Sequence, residues 1–131
     1  MTDPIRLLLA DDQQMVRAGF RLVLDAQPDM SVVGEANDGA EALQLVDELA
    51  PDVVLMDIRM PVLDGLGATE KIMTSHPEAK ILVLTTFDLD EYVHSALRAG
   101  ASGFMLKDAG PTELLAAIRA CLLYTSPSPR D

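Results

Sequence analysis

The chain has 131 residues, 49% hydrophobic and 24% charged, with a single Cys; it is one domain's worth of sequence, able to bury a core without disulfide staples. Asp and Glu number 21 against 10 Lys and Arg, a formal charge of −11, and a body this acidic is repelled by nucleic acid phosphates. No apolar run approaches the ~20 residues of a membrane span, and Asp3-Pro4 ahead of a short apolar run is wrong for a secretion signal. The expected setting is cytoplasmic.

In chain order, the first apolar run, Ile5–Ala10, predicts a strand, and Val16, Phe20 and Val23-Leu24 then repeat at helical spacing until Gln27-Pro28. A second strand is expected over Ser31–Gly34. Asp38, with Glu41 three residues on, signals a helix start, and Ala42, Leu45-Val46 and Leu49 share its apolar face up to Ala50-Pro51. A third strand, Val53–Met56, is followed by a helix stopped at His76-Pro77, and a fourth strand covers Ile81–Leu84. Asp88 with Glu91 opens the next helix, with Tyr92-Val93 and Ala96-Leu97 on one face and Gly100 at its end. The last strand is Gly103–Leu106, and Pro111 with Glu113 starts a helix carrying Leu114-Leu115 and Ile118. Each strand reads as covered on both faces. Five strands alternating with five helices make an α/β fold, a five-stranded parallel sheet with helices on both sides, and ligands on such sheets bind at the carboxyl ends of the strands.

The first strand ends in Asp11-Asp12 and the third in Asp57, so three carboxylates meet at one sheet edge. At ~5 Å and an effective dielectric of 20, each ionised pair repels by about 3 kcal/mol. A divalent cation resolves that conflict, and an open all-oxygen site suits Mg²⁺. Asp12 is also placed to cap the first helix. The fourth strand ends in Thr85, whose hydroxyl can donate to an oxyanion, and the fifth in Lys107, whose ammonium can pair with Asp57 or a phosphoryl oxygen. Together they describe a site for Mg²⁺ and a phosphoryl group, with Asp57 as candidate nucleophile.

Other residues read as structural. His76 and His94 are expected on the surface, Met15, Met56, Met60, Met73 and Met105 as core filler, and Gly39, Gly65 and Gly67 as turn glycines. Residues 121–131 resemble the in-frame translation of a sequencing adapter and are expected to be non-native, although Cys121, Leu122 and Leu123 can extend the last helix.

Residues 4–120 resemble the receiver domain of bacterial two-component response regulators. The motifs are Leu9-Ala10-Asp11-Asp12, Asp57-x-x-Met60-Pro61-x-x-Asp64-Gly65, Leu84-Thr85 and Gly100-Ala101-Ser102-Gly103-Phe104-Met105-Leu106-Lys107-Asp108, with Thr85 28 residues and Lys107 50 residues beyond Asp57. The last segment is similar to the NarL/FixJ subgroup, whose members carry a C-terminal LuxR-type helix-turn-helix. The resemblance implies a flavodoxin-like (βα)5 fold with strand order 2-1-3-4-5, and a parent transcription factor whose DNA-binding domain lies outside this chain. It implies Asp57 as phosphoacceptor from a sensor histidine kinase, and Asp12, Asp57 and the Arg59 backbone carbonyl as Mg²⁺ ligands, with Asp11 acting through water. Thr85 and Phe104 are then the switch residues and Lys107 the cationic partner. Homodimerisation on phosphorylation is compatible with it. Such a domain promotes only its own phosphorylation and dephosphorylation and is not an enzyme acting on external substrates. Arg59 and Phe87 lack an acid or carboxamide to orient an attacking water, so phosphate loss is expected to be slow.

Other functions fit less well. A haloacid dehalogenase-type phosphohydrolase wants an Asp two residues after its nucleophile, where this chain has Arg59. A flavodoxin-like cofactor binder would meet Asp11-Asp12 where its phosphate loop should be. An interaction module independent of phosphorylation would usually have lost Asp12, Asp57 or Lys107.

Overall fold

The computed structural model describes residues 3–85 and 90–123. Five strands, β1 (Ile5–Ala10), β2 (Met30–Ala36), β3 (Val53–Asp57), β4 (Lys80–Thr85) and β5 (Gly103–Leu106), alternate with five helices. The helices are α1 (Gln14–Asp25), α2 (Gly39–Leu49), α3 (Gly65–Ser75), α4 (Asp90–Arg98) and α5 (Pro111–Leu123). All strand pairs are parallel, in the order β2-β1-β3-β4-β5. This is the strand order that the resemblance implies. The expectations at Phe87 and Asp88, and those for residues 124–131, lie outside the described residues.

Alternation along the strands splits the core into two layers. Leu8, Val54, Met56, Ile81 and Val83 face Ala42, Val46, Ile72 and Ala96 of α2, α3 and α4. Leu7, Leu9, Val53, Leu55, Leu82 and Leu84 face Leu24 of α1 and Leu114 and Ile118 of α5. Each fully buried aliphatic side chain stabilises the fold by roughly 1.5–3 kcal/mol. Edge strand β5 departs from the reading as a doubly covered strand. Its Met105 packs toward α5, but Phe104 is 43% exposed and Leu106 37%, because an edge strand here has one well-covered face.

Local signals set the helix ends. Asp38 accepts a hydrogen bond from the Glu41 backbone N–H (2.8 Å), and Asp64 from that of Gly67 (2.8 Å). α2 stops at Ala50, which turns left-handed (φ 47°) just before Pro51. α4 stops at Gly100 (φ 108°), where paired bonds from Ala101 N to Ala96 O and from Gly100 N to Leu97 O form a Schellman closure. The cap of α1 is a correction: it is Gln13 with no side-chain bond, and Asp12 caps nothing.

Three further expectations change. Gly39 and Gly65 open helices rather than turns, and Gly67 lies inside α3. A Cβ on Gly39 would sit 2.0 Å from the Leu63 carbonyl oxygen, and one on Gly65 2.2 Å from that of Asp57, so both are glycine because backbones meet there. Met15 is not core filler. It is 87% exposed on the outward face of α1, whereas Met56 and Met60 are buried. His76 is more than a surface residue: it caps α3, and its Nε2 lies 2.5 Å from Asp47 of α2 and its Nδ1 3.6 Å from Glu78. These contacts hold its pKa above the usual histidine value, through the Asp47 hydrogen bond first, against a smaller opposing effect of desolvation.

Candidate phosphoacceptor and metal site

Parallel register carries the ends of β1, β3, β4 and β5 to one edge of the sheet. Asp11 follows Ala10, which pairs with Met56, so Asp11 and Asp57 come off neighbouring strands at one level. Both are buried, at 2% and 5% exposure, while Asp12 stands at the mouth. One carboxylate oxygen from each of Asp11, Asp12 and Asp57 lies within 4.8 Å of the others. They open into a cleft of about 220 Å³ lined by Asp12, Gln13, Asp57, Ile58, Arg59 and Lys107.

Lys107 is the counter-charge. Its ammonium lies 2.7 Å from Asp11 Oδ2 and 3.4 Å from Asp57 Oδ2. The expected partner was Asp57; Asp11 holds the nearer place. Asp11 Oδ1 accepts the Gln13 backbone N–H (2.8 Å), an Asx turn that launches α1 in place of an Asp12 cap. Buried Oδ2 faces the ammonium without a well-aligned hydrogen bond. Asp57 Oδ1 has a long bond from the Arg59 N–H, at 3.4 Å. Burial and the Asp11 charge push the Asp57 carboxyl above its ordinary pKa, and Lys107 and the Arg59 N–H only partly offset them. Burial disfavours the charged Lys107, yet the close Asp11 carboxylate and the charge of Asp57 outweigh it and raise its pKa.

The donor set fits a hard divalent cation. Three carboxylates against one ammonium leave negative charge in a space mostly removed from water, and its oxygens are open on the Asp12 side. Thr85 is buried at the end of β4, one residue beyond Leu84, the partner of Asp57. Its carbonyl accepts the Lys107 N–H (2.8 Å), so the β4 terminus also anchors the lysine. Phe104 is not in this cleft; it lies on β5 paired with Val83 of β4, two positions before the Thr85–Leu106 level.

Two features escaped the sequence reading. A second cleft of about 470 Å³, shared with the first at Asp12, Ile58 and Arg59, runs along Met60, Pro61, Asp64 and Leu66. Arg17 of α1 is buried and bonded to the Asp11 carbonyl. The available signal was its position seven residues before Leu24, which puts a cation on the core-facing stripe of α1.

The response regulator receiver domain family matches residues 7–119. Uncharacterized transcriptional regulatory protein YxjL of Bacillus subtilis is 53% identical over 90% of this chain, and oxygen regulatory protein NreC of Staphylococcus aureus 52% over 88%. The chain spans about half the length of these relatives, 54% of each. Among solved structures, the receiver domain of the putative response regulator NarL from Mycobacterium tuberculosis superposes with a TM-score of 0.88 at 36% identity, covering 92% of this chain and 97% of that one. A LuxR-family two-component response regulator from Aurantimonas sp. SI85-9A1 gives 0.88 at 38%, over 92% and 86%. With its strand order, its acidic edge and its relatives pointing the same way, the chain belongs to the receiver domains of two-component response regulators, among those of the NarL/LuxR type.

Proposed function

We propose that the domain accepts a phosphoryl group on Asp57 and passes the change to an output. The observation that carries this reading is the Lys107 ammonium set between the carboxylates of Asp11 and Asp57 at adjoining strand ends. An Asp57 oxygen forms the new P–O bond as the P–N bond of a phosphohistidine donor breaks, and the imidazole leaves with that electron pair. Asp12, Asp57 and the Arg59 carbonyl would hold a Mg²⁺ ion, with the Asp11 carboxylate beside them, and such an ion would supply charge neutralisation at the phosphoryl oxygens. Lys107 then exchanges a carboxylate partner for a phosphoryl oxygen, and the Thr85 hydroxyl donates to another. Phe104 follows Thr85, remodelling the β4–β5 side. A sensor histidine kinase in the cytoplasm is the donor, dimerisation and transcription are the outputs, and DNA is reached only through a further domain. The domain turns over no external substrate. Among the described residues no helix is long and apolar enough to cross a membrane.

The test is incubation with acetyl phosphate and Mg²⁺ followed by intact-mass measurement. One phosphoryl adduct is expected, lost on Mg²⁺ chelation and in Asp57→Asn. Absence of a Mg²⁺-dependent adduct in the wild type would favour an interaction module that works without phosphorylation.

A further inference from the structure

We propose that Arg17 is a positioning residue for the acidic cluster, an inference that rests on reading the cluster as a Mg²⁺ site. Arg17 is 7% exposed, unusual for a guanidinium, and its two ends do different work. Nη1 donates to the backbone carbonyl of Asp11 at 2.5 Å, and Nε donates to Glu35 Oε1 at 2.9 Å. Glu35 stands on β2 opposite Leu9 of β1, and its second oxygen takes Nη1 of Arg21 at 2.6 Å.

The carbonyl that Arg17 holds belongs to the peptide unit joining Asp11 to Asp12. That unit is planar, so holding its oxygen restrains the peptide plane between the two Cα atoms that carry the carboxylates, and with it ψ of Asp11 and φ of Asp12. The other side of Asp11 is tied as well, its N–H donating to the Ala36 carbonyl at 3.0 Å. The backbone at Asp11 is thus clamped from β2 on one side and from α1 on the other. The charge of Arg17 is answered by Glu35, so its leverage on the cluster is geometric. This matters because a site for a small octahedral cation tolerates little error in ligand placement, and groups orienting the ligands govern affinity nearly as much as the ligands do.

The test compares Arg17→Lys, Arg17→Met and Glu35→Ala with wild type, reading Mg²⁺ affinity by calorimetry and Tm by dichroism. Lysine can meet Glu35 but cannot hold both partners with a planar fork. Both Arg17 variants should weaken Mg²⁺ binding by about tenfold, while Glu35→Ala, which removes the ion pairs but leaves the Asp11 bond, should lower Tm yet stay within about twofold in affinity. Folded Arg17 variants that bind Mg²⁺ like wild type overturn the proposal. So does Glu35→Ala weakening the affinity as much as Arg17→Lys, because general loosening then explains both. Should Arg17→Met fail to fold, the other two variants decide. Failure of the wild type to bind Mg²⁺ overturns the underlying reading and this one together, and is visible before any variant is compared.

Discussion

The two sides of the sheet's functional edge are built differently. At β1 and β3 every residue from Leu7 to Ala10 and from Val53 to Asp57 is buried, and the acidic groups are tied to backbone on several sides. At β5, half-burial alternates with exposure, and Phe104, Leu106 and Leu97 of α4 leave apolar surface in water. The comparison teaches a division of labour. On the proposed function, the chemistry would use the fixed ligands of the central strands, whereas the surface that changes would lie at the edge, where little packing must be undone.

That contrast can be broken by mutation. Leu55→Ala, in the centre, should cost about 3–4 kcal/mol in urea denaturation, since its methyl groups leave a cavity between packed layers. Gly65→Ala should cost about 2 kcal/mol and also depress Asp57 phosphorylation, because the new Cβ strikes the Asp57 carbonyl. Asp57→Asn runs the other way. Its raised pKa means that the folded state binds the proton more tightly than the unfolded one, so ionisation at neutral pH destabilises the fold; without Mg²⁺ the variant should melt at a higher temperature than wild type at pH 7. Phe104→Ala should cost less than about 1 kcal/mol. A loss there as large as that of Leu55→Ala would erase the distinction between centre and edge.

The smallest effect lies away from both regions and sharpens the comparison as a control. His76 has a folded pKa raised by Asp47, with Glu78 adding to it. Its contribution is complete below the unfolded value of about 6.5 and is lost as pH rises through the folded value. Thermal melts of His76→Gln and wild type should therefore differ most near pH 6 and converge at alkaline pH, with phosphorylation unaffected.

What could be read from sequence follows from which interactions leave a hydrophobic trace. β1 and β5 came out with the bounds the structure has, since their apolar runs end where pairing ends. β2, β3 and β4 run further, through Met30, Glu35, Ala36, Asp57, Lys80 and Thr85, because backbone ladders accept residues that an apolar pattern omits. The carboxylates and Lys107 were legible because strand ends in a parallel sheet share an edge. The pairing of Lys107 with Asp11 ahead of Asp57 was not, since it depends on distances of an ångström or less. Nor were the close backbone approaches at Gly39 and Gly65, for a glycine beside a turn looks the same whether it is needed for φ or for space. Arg17 stayed hidden because a cation in a helix is read as solvated unless its place on the apolar stripe is weighed.

The sheet's outer margins have a consequence for handling the protein at high concentration. Open strand edges invite pairing with a neighbouring molecule. β5 offers only four residues, about 13 Å of ladder, before the charged Lys107-Asp108 interrupts it. β2 is longer, but its register against β1 slips at Leu7/Leu8, leaving Val33 as an extra residue that twists the margin out of line. One margin is too short and the other too crooked to template a growing sheet, so concentrated samples should resist strand-to-strand aggregation even with apolar side chains in water nearby.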